Sequence, residues 1–361
     1  MTPPLPSLTT FELLGWVLVG LLVAVVAVGY VAVGLSVRGK REDRRIEAVE
    51  DSIRTELLDR LGRDEPAWGT WLDGLSRRER DVLETQTDQY LRLLTGSDRD
   101  RLHDLATRLD AGQRIEQPLA TGDRIDRLGA LSWLALLDHE VDVDRLVEHC
   151  SDDPAERAAV GRVLYEHREA IDGAASIGTR LLTSAGTTLP MYGTDTLFRL
   201  NQTDPTPLLT TCASQRGDWT VDLLAQALET LTYCDPAGGD APIEWVLDCL
   251  DCESPAVREA ALGVVGTYGW RAELREGVDV ERAVNDPVPS VRRAAYREFS
   301  AWNDETVQVL VGAAATETDD RARLLLAREL SGRLREVTER LPPGIAACLD
   351  WAEAEEAAKA R

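Results

Sequence analysis

Cys249 and Cys252 are separated by two residues as C-L-D-C, the one cysteine spacing in the chain that could hold a metal or pass electrons. A closed zinc site needs four ligands, and no second cysteine or histidine pair lies at a suitable distance. A thioredoxin-like dithiol needs a βαβ setting, which the surrounding sequence lacks. The four histidines are His103, His139, His149 and His167, with no H-E-x-x-H among them. His149 and Cys150 are adjacent, and neighbours on a helix point different ways, so they make a poor nucleophile and base. The carboxylate pairs Asp152-Asp153 and Asp319-Asp320 precede apolar periodic runs, where they serve as caps for free helical N–H groups. There is no P-loop, no G-x-G-x-x-G and no G-x-S-x-G, and Gly178, Gly186 and Gly193 are too isolated to cradle a phosphate. The expectation is a non-enzyme with no catalytic residue, no metal and no cofactor.

Composition narrows the partners. The 361 residues carry 63 acidic and 40 basic side chains, a net charge of −23. Such a charge disfavours nucleic acid as an unaided partner. Lysine occurs only at 40 and 359, and arginine supplies the other basic residues. Aromatic residues are 5% of the chain, while Ala, Leu, Arg, Asp and Glu dominate, which favours helices. The six cysteines, Cys150, Cys212, Cys234, Cys249, Cys252 and Cys348, are scattered through apolar helical surroundings and read as buried thiols.

The elements that would position these residues begin with an apolar run at 13–35 that holds no charge, Asn, Gln or Pro. A bilayer core is spanned by about 20 helical residues, so this run predicts one transmembrane helix. Trp16 and Tyr30 sit where interfacial rings belong. Arg38, Lys40, Arg41, Arg44 and Arg45 follow it, against Glu12 alone before it. The positive side stays inside. The expected topology is single-pass in the cell membrane, with residues 1–12 outside and the C-terminal domain cytoplasmic, in contact with the lipid bilayer through residues 13–35.

Residues 36–62 read as a juxtamembrane amphipathic helix, with Ile46, Val49, Ile53, Leu57 and Leu61 on one stripe. Residues 63–123 read as a helical N-terminal cap region. In it Ser76 and Glu79 form a capping-box pattern, and 113–123, with Pro118 and Gly122, reads as a loop. From 124 to 340 one grammar recurs: a helix, a tight Asp/Ser/Pro turn, and an Ala-rich helix with an early arginine. S-P-A-V-R-E-A-A at 254–261, P-S-V-R-R-A-A at 289–295 and D-D-R-A-R at 319–323 are the clearest copies. They align Arg258, Arg292 and Arg323, and Arg157 takes the same place in an earlier helix. Weaker copies fill 171–233. Two helices every 31–40 residues signal stacked pairs that bury a face against their neighbours. Residues 341–361 read as a C-terminal capping helix.

The motif P-x-V-R-x-x-A, at Pro255, Val257, Arg258 and Ala261 and again at Pro289, Val291, Arg292 and Ala295, resembles HEAT repeats. The resemblance implies an all-α fold, an α-solenoid of HEAT-like helical repeats preceded here by a single transmembrane helix. It implies that the prolines open helices, that the Val and Ala positions pack inward, and that Asp251 and Asp286 brace Arg258 and Arg292. The layout also resembles single-span membrane proteins with HEAT-like repeats, some encoded beside glycosyltransferases of surface polysaccharide synthesis. The acidic, Lys-poor composition resembles that of proteins from salt-loving archaea. Together these imply a membrane-tethered cytoplasmic protein-binding scaffold, its partner a protein at the inner membrane face, with a role as accessory subunit of a membrane glycosyltransferase or polysaccharide-synthesis complex as the alternative. A HEAT-like lyase would instead need a pocket that gathers Cys249, Cys252 and His149.

Overall fold

The computed structural model describes residues 48–63, 65–109, 111–137, 141–236, 238, 240–331 and 343–359. The apolar run at 13–35 and its basic flank lie outside them. Among the described residues no helix is long and apolar enough to cross a membrane. The longest helices given named bounds have 17 residues, and each is interrupted by charge: Arg77–Leu93 throughout, and Pro343–Lys359 by Asp350, Glu353 and Glu355. The single-pass topology, the cell-membrane location, the bilayer contact and the membrane-tethered role are corrected accordingly. The physical reason is that a span needs about 20 uninterrupted apolar residues, which no described helix has.

The chain divides into two compact units, 1–112 and 113–361. In the first, α1 is helical over 48–61 and turns Ile53, Leu57 and Leu61 inward at fourfold spacing. Next come α2 (Trp68–Gly74), α3 (Arg77–Leu93) and α4 (Ser97–Arg108). The capping box opens α3: the Ser76 amide donates to Glu79 Oε2 at 2.8 Å, and the Glu79 amide to Ser76 Oγ at 3.4 Å. Trp68, Leu83, Leu91, Leu102 and Leu105 are buried as α2 and α3 pack on α4.

The second unit begins within α5 (Ala111–Thr121) and continues with α6 (Arg124–Leu136), α7 (Val143–Glu148), α8 (Pro154–Glu166), α9 (Ala174–Thr183) and α10 (Met191–Asn201). Then follow α11 (Thr206–Gln215), α12 (Val221–Tyr233), α13 (Trp245–Cys249), α14 (Pro255–Thr267) and α15 (Ala272–Gly277). The last are α16 (Val280–Val284), α17 (Pro289–Phe299), α18 (Asp304–Ala314), α19 (Asp320–Leu330) and α20 (Pro343–Lys359). The segment read as a loop at 113–123 is therefore mostly helical. Pro118 gives up one backbone donor inside α5, but Ile115 and Leu119, four residues apart, share an apolar pocket with α6.

Each of α6, α8, α10, α12, α14, α17, α19 and α20 packs on the next, while α9 packs on α8, α10 and α11, and α16 and α18 flank α17. Stacking of this kind makes the core continuous. One apolar cluster runs from Ala158 to Leu349, with Leu197, Leu228, Val257, Leu262, Phe299 and Leu326 fully enclosed. Small residues set the spacing: a Cβ on Gly178 would meet Leu200 Cδ1 at 2.7 Å. Gly186, at φ 64°, turns the chain between α9 and α10, and a Cβ there would lie 2.8 Å from the Asp218 carbonyl oxygen. Its own carbonyl accepts from the Thr220 amide at 2.7 Å, so this turn rests directly on the N-terminus of α12.

Candidate functional site

Pro154, Pro255 and Pro289 each occupy the first turn of a helix, where a missing N–H costs nothing. Val257, Ala261, Val291 and Ala295 are buried against neighbouring helices. The early arginine then folds back over the turn that led into its helix, where carbonyls have no intrahelical partner. Arg258 donates through Nη1 to the carbonyls of Cys252 (2.8 Å) and Glu253 (3.0 Å). Arg292 does the same to Asp286 (2.8 Å) and Pro287 (3.3 Å). Arg157 reaches the Ser151 carbonyl at 3.3 Å, and Arg323 the Thr318 carbonyl at 3.1 Å.

The rest of each guanidinium differs. Arg258 Nε and Nη2 grip both oxygens of Asp286, 28 residues on, at 2.8 and 2.9 Å. Arg292 grips both oxygens of Glu317 at 2.8 and 2.7 Å. Arg157 and Arg323 turn instead to their own exposed neighbours Asp152 and Asp320. Asp286 thus holds the arginine of the preceding pair, and Arg292 takes a glutamate that the sequence pattern does not mark. Asp251 pairs with Arg282 at an exposed site and makes no ion pair with Arg258.

Glu317 is the centre of a small buried network. Burial by itself would raise its pKa. Hydrogen bonds from Arg292, from Tyr296 Oη at 2.7 Å and from the Asp319 amide at 2.8 Å outweigh that and hold the carboxyl at about 2. Glu298 shows the opposite balance. It lies half-buried against Gly266, and burial raises its pKa, with Glu329 adding to the rise.

Four of the six thiols are poor reactants. Burial pushes Cys249 and Cys150 up to about 11 and Cys234 up to about 12, and it drives Cys212 higher still. Protonated thiols neither attack nor ligate well. All six are free. Among the described residues no group of three His, Cys, Asp or Glu side chains is placed to hold a metal ion. His149 ends α7 and donates from Nδ1 to the Arg145 carbonyl at 2.9 Å. It lines a different pocket from Cys252, so the histidine and the C-x-x-C are not gathered. His167 ties the end of α8 to the Leu134 carbonyl at 2.9 Å. His103 lies on α4, and His139 lies outside the described residues. Asp153 and Asp319 cap α8 and α19.

What does converge is an open cleft of about 540 Å³ between the α13–α14 turn and α16–α17. Asp248, Asp251, Glu253, Asp279 and Asp286 face it, against Arg258 and Arg282. Both arginines are already paired, and Glu253 has no ion pair among the described residues. Sequence reasoning also passes over Arg271, which is buried and donates to the Ala241 carbonyl at 2.6 Å across 30 residues. A charged residue at the N-cap of α15, four residues past the end of α14, is its only local signal.

No protein family matches the chain, and neither does any curated protein or solved structure. The resemblance to HEAT repeats, to anchored proteins of polysaccharide synthesis and to salt-loving archaea is corrected on that finding. A short P-x-V-R-x-x-A pattern encodes helix opening, burial and turn bracing, and those demands belong to stacked helices in general. The residues describe an all-α chain whose short helices stack in succession.

Proposed function

We propose that this protein is a non-catalytic helical binding module that takes a basic stretch of another polypeptide in the cleft between the α13–α14 turn and α16–α17. The observation that carries this reading is the excess of carboxylates over guanidinium groups facing one open cleft. Ionised carboxylates keep acceptor capacity after one salt bridge, and Asp248 and Asp251 remain largely exposed in theirs. The charge is spread along the cleft rather than focused on one point, which suits several Lys or Arg side chains better than a single metal ion. The net charge of −23 adds long-range steering toward cations. High thiol pKa values support a binding role over nucleophilic chemistry.

A short fluorescein-labelled Arg/Lys-rich peptide, followed by anisotropy, tests this. It should bind the full chain, weaken with added salt and outcompete a Glu-rich peptide. Glu253→Gln with Asp279→Asn should weaken binding by about threefold per charge. Neutralising the exposed Glu169 and Asp172, far along the sequence, should leave it unchanged. Equal loss from both pairs would reduce the effect to overall charge and sink the proposal.

A further inference from the structure

The acidic cleft does not end at the turn between α16 and α17. That turn, at Asn285, Asp286 and Pro287, also bounds a second cleft, of about 210 Å³, which opens toward the turn between α18 and α19. Sharing three consecutive residues, the two clefts are neighbours across one ridge. Their charges differ. In the first, carboxylates outnumber guanidinium groups. In the second, the charges are already used: Glu317 gives both oxygens to Arg292 and its side chain is covered, and Asp286 gives both oxygens to Arg258 and is nearly so. What the second cleft presents is neutral. Asn285, Thr316 and Thr318 line it and are exposed, so a bound group can reach them. Asn285 donates through Nδ2 to the Glu281 carbonyl at 2.8 Å. Its Oδ1 and the Thr318 hydroxyl have no hydrogen-bond partner among the described residues.

We infer that the basic segment crosses this ridge in extended form and sets an uncharged hydrogen-bonding side chain, Asn, Gln, Ser or Thr, against Asn285 and Thr318. This rests on the acidic cleft being the seat of the basic stretch. The helices behind the three turns, α14, α17 and α19, pack in succession, which sets their axes about 8–10 Å apart. An extended chain advances about 3.3 Å per residue. The neutral residue therefore lies about three positions from the last basic one. A cation in the second cleft would give up water for carboxylates that are already covered and bonded. An anion would lie beside Asp286 and Glu317 and be repelled. An apolar side chain would strip water from Asn285 Oδ1 and Thr318 without replacing it. A neutral amide or hydroxyl donates to Asn285 Oδ1 and pairs with the Thr318 hydroxyl, which can donate or accept.

The test titrates the full chain, by anisotropy, with a labelled Arg/Lys-rich run alone and with the same run extended by Gly-Gly-Asn-Thr or by Gly-Gly-Ala-Ala, the extension placed at either end. From one end, the Asn-Thr peptide should bind about fivefold more tightly than the Ala-Ala peptide. That preference involves no charge, so it should persist as salt is added, while the basic run itself weakens. Thr318 lines the second cleft and not the first. Thr318→Val should lower the preference to about twofold and leave binding of the unextended run as in wild type. The comparison of extensions on the wild-type chain stands even if that variant is destabilised. If the unextended run binds and the two extensions bind equally from both ends, the inference falls and the acidic cleft stands. A preference that salt removes, or that survives Thr318→Val in full, also overturns it. If the unextended run fails to bind, the reading of the acidic cleft falls and takes this inference with it.

Discussion

Burial raises the pKa of both Glu317 and Glu298, and the hydrogen bonds that only Glu317 receives reverse the outcome there. A carboxyl whose pKa falls on folding adds stability above its unfolded value and loses it as the pH drops toward the folded one. For Glu317 that window runs from its ordinary 4.5 down to about 2. Glu317→Gln should therefore destabilise the protein by about 3 kcal/mol at neutral pH, because Arg292 loses its buried partner. The difference from wild type should shrink as denaturation is repeated down that window. Glu298 has its pKa raised by burial. It adds stability when protonated and costs stability as the pH rises through its folded value. Glu298→Gln should then raise the melting temperature at neutral pH and lose that advantage in acid. A lower melting temperature for Glu298→Gln at neutral pH would mean that the carboxylate makes a favourable contact.

Among the elements, the four early arginines share one local job and divide on the second. Arg258 and Asp286 are 12% and 10% exposed and join two successive helix pairs, whereas the Asp320 partner of Arg323 is 95% exposed. Surface pairs contribute roughly 0–1 kcal/mol, and breaking a covered one costs several times more. Arg258→Met should therefore lower the urea midpoint clearly, and Arg323→Met only slightly. Equal effects would assign the stabilisation to the shared turn carbonyls rather than to the link between pairs. The α9–α10 turn depends on Gly186 for a different reason. Its positive φ and its approach to the Asp218 carbonyl both exclude a Cβ. Gly186→Ala should cost on the order of 1–3 kcal/mol, read by thermal unfolding. Loss of amide protection should be greatest around Thr220.

Across the second unit, stability is a chain of neighbour contacts. Each helix of the main row is covered by the next, and α20 covers α19 through Ile345 and Leu349, with Arg328 stacked 4.9 Å from Trp351 and paired with Glu355. In such stacks the end element protects its neighbour more than the far end. Removing residues 341–361 should expose Leu326, Ala327 and Leu330, increase dye binding to apolar surface, and speed amide exchange in α19 and α17. Exchange in α8–α12 should change little. Uniform loss of protection over the unit would show a single cooperative block instead.

The sequence by itself determined the helices, because local periodicity, prolines in first turns and capping residues act over a few residues. The Ser76–Glu79 capping box, the starts of α8, α14, α17 and α19, and the weaker pairs at 171–233 are all legible in it. It also indicated stacking, because the same local grammar recurs. Tertiary structure alone decided which charges meet. The Asp286 carboxylate serves Arg258 rather than Arg292, Glu317 takes Arg292, and Glu156 takes Arg127. These choices depend on how far one helix slides along the next, a quantity set by packing around residues such as Gly178 and Gly186. Pro118 looks like a breaker locally, yet Ile115 and Leu119 face an apolar pocket that only the fold creates. The acidic cleft lies between elements that follow closely in the chain, the α13–α14 turn and α16–α17. It arises from how those helices are set against one another, which no spacing in the sequence encodes.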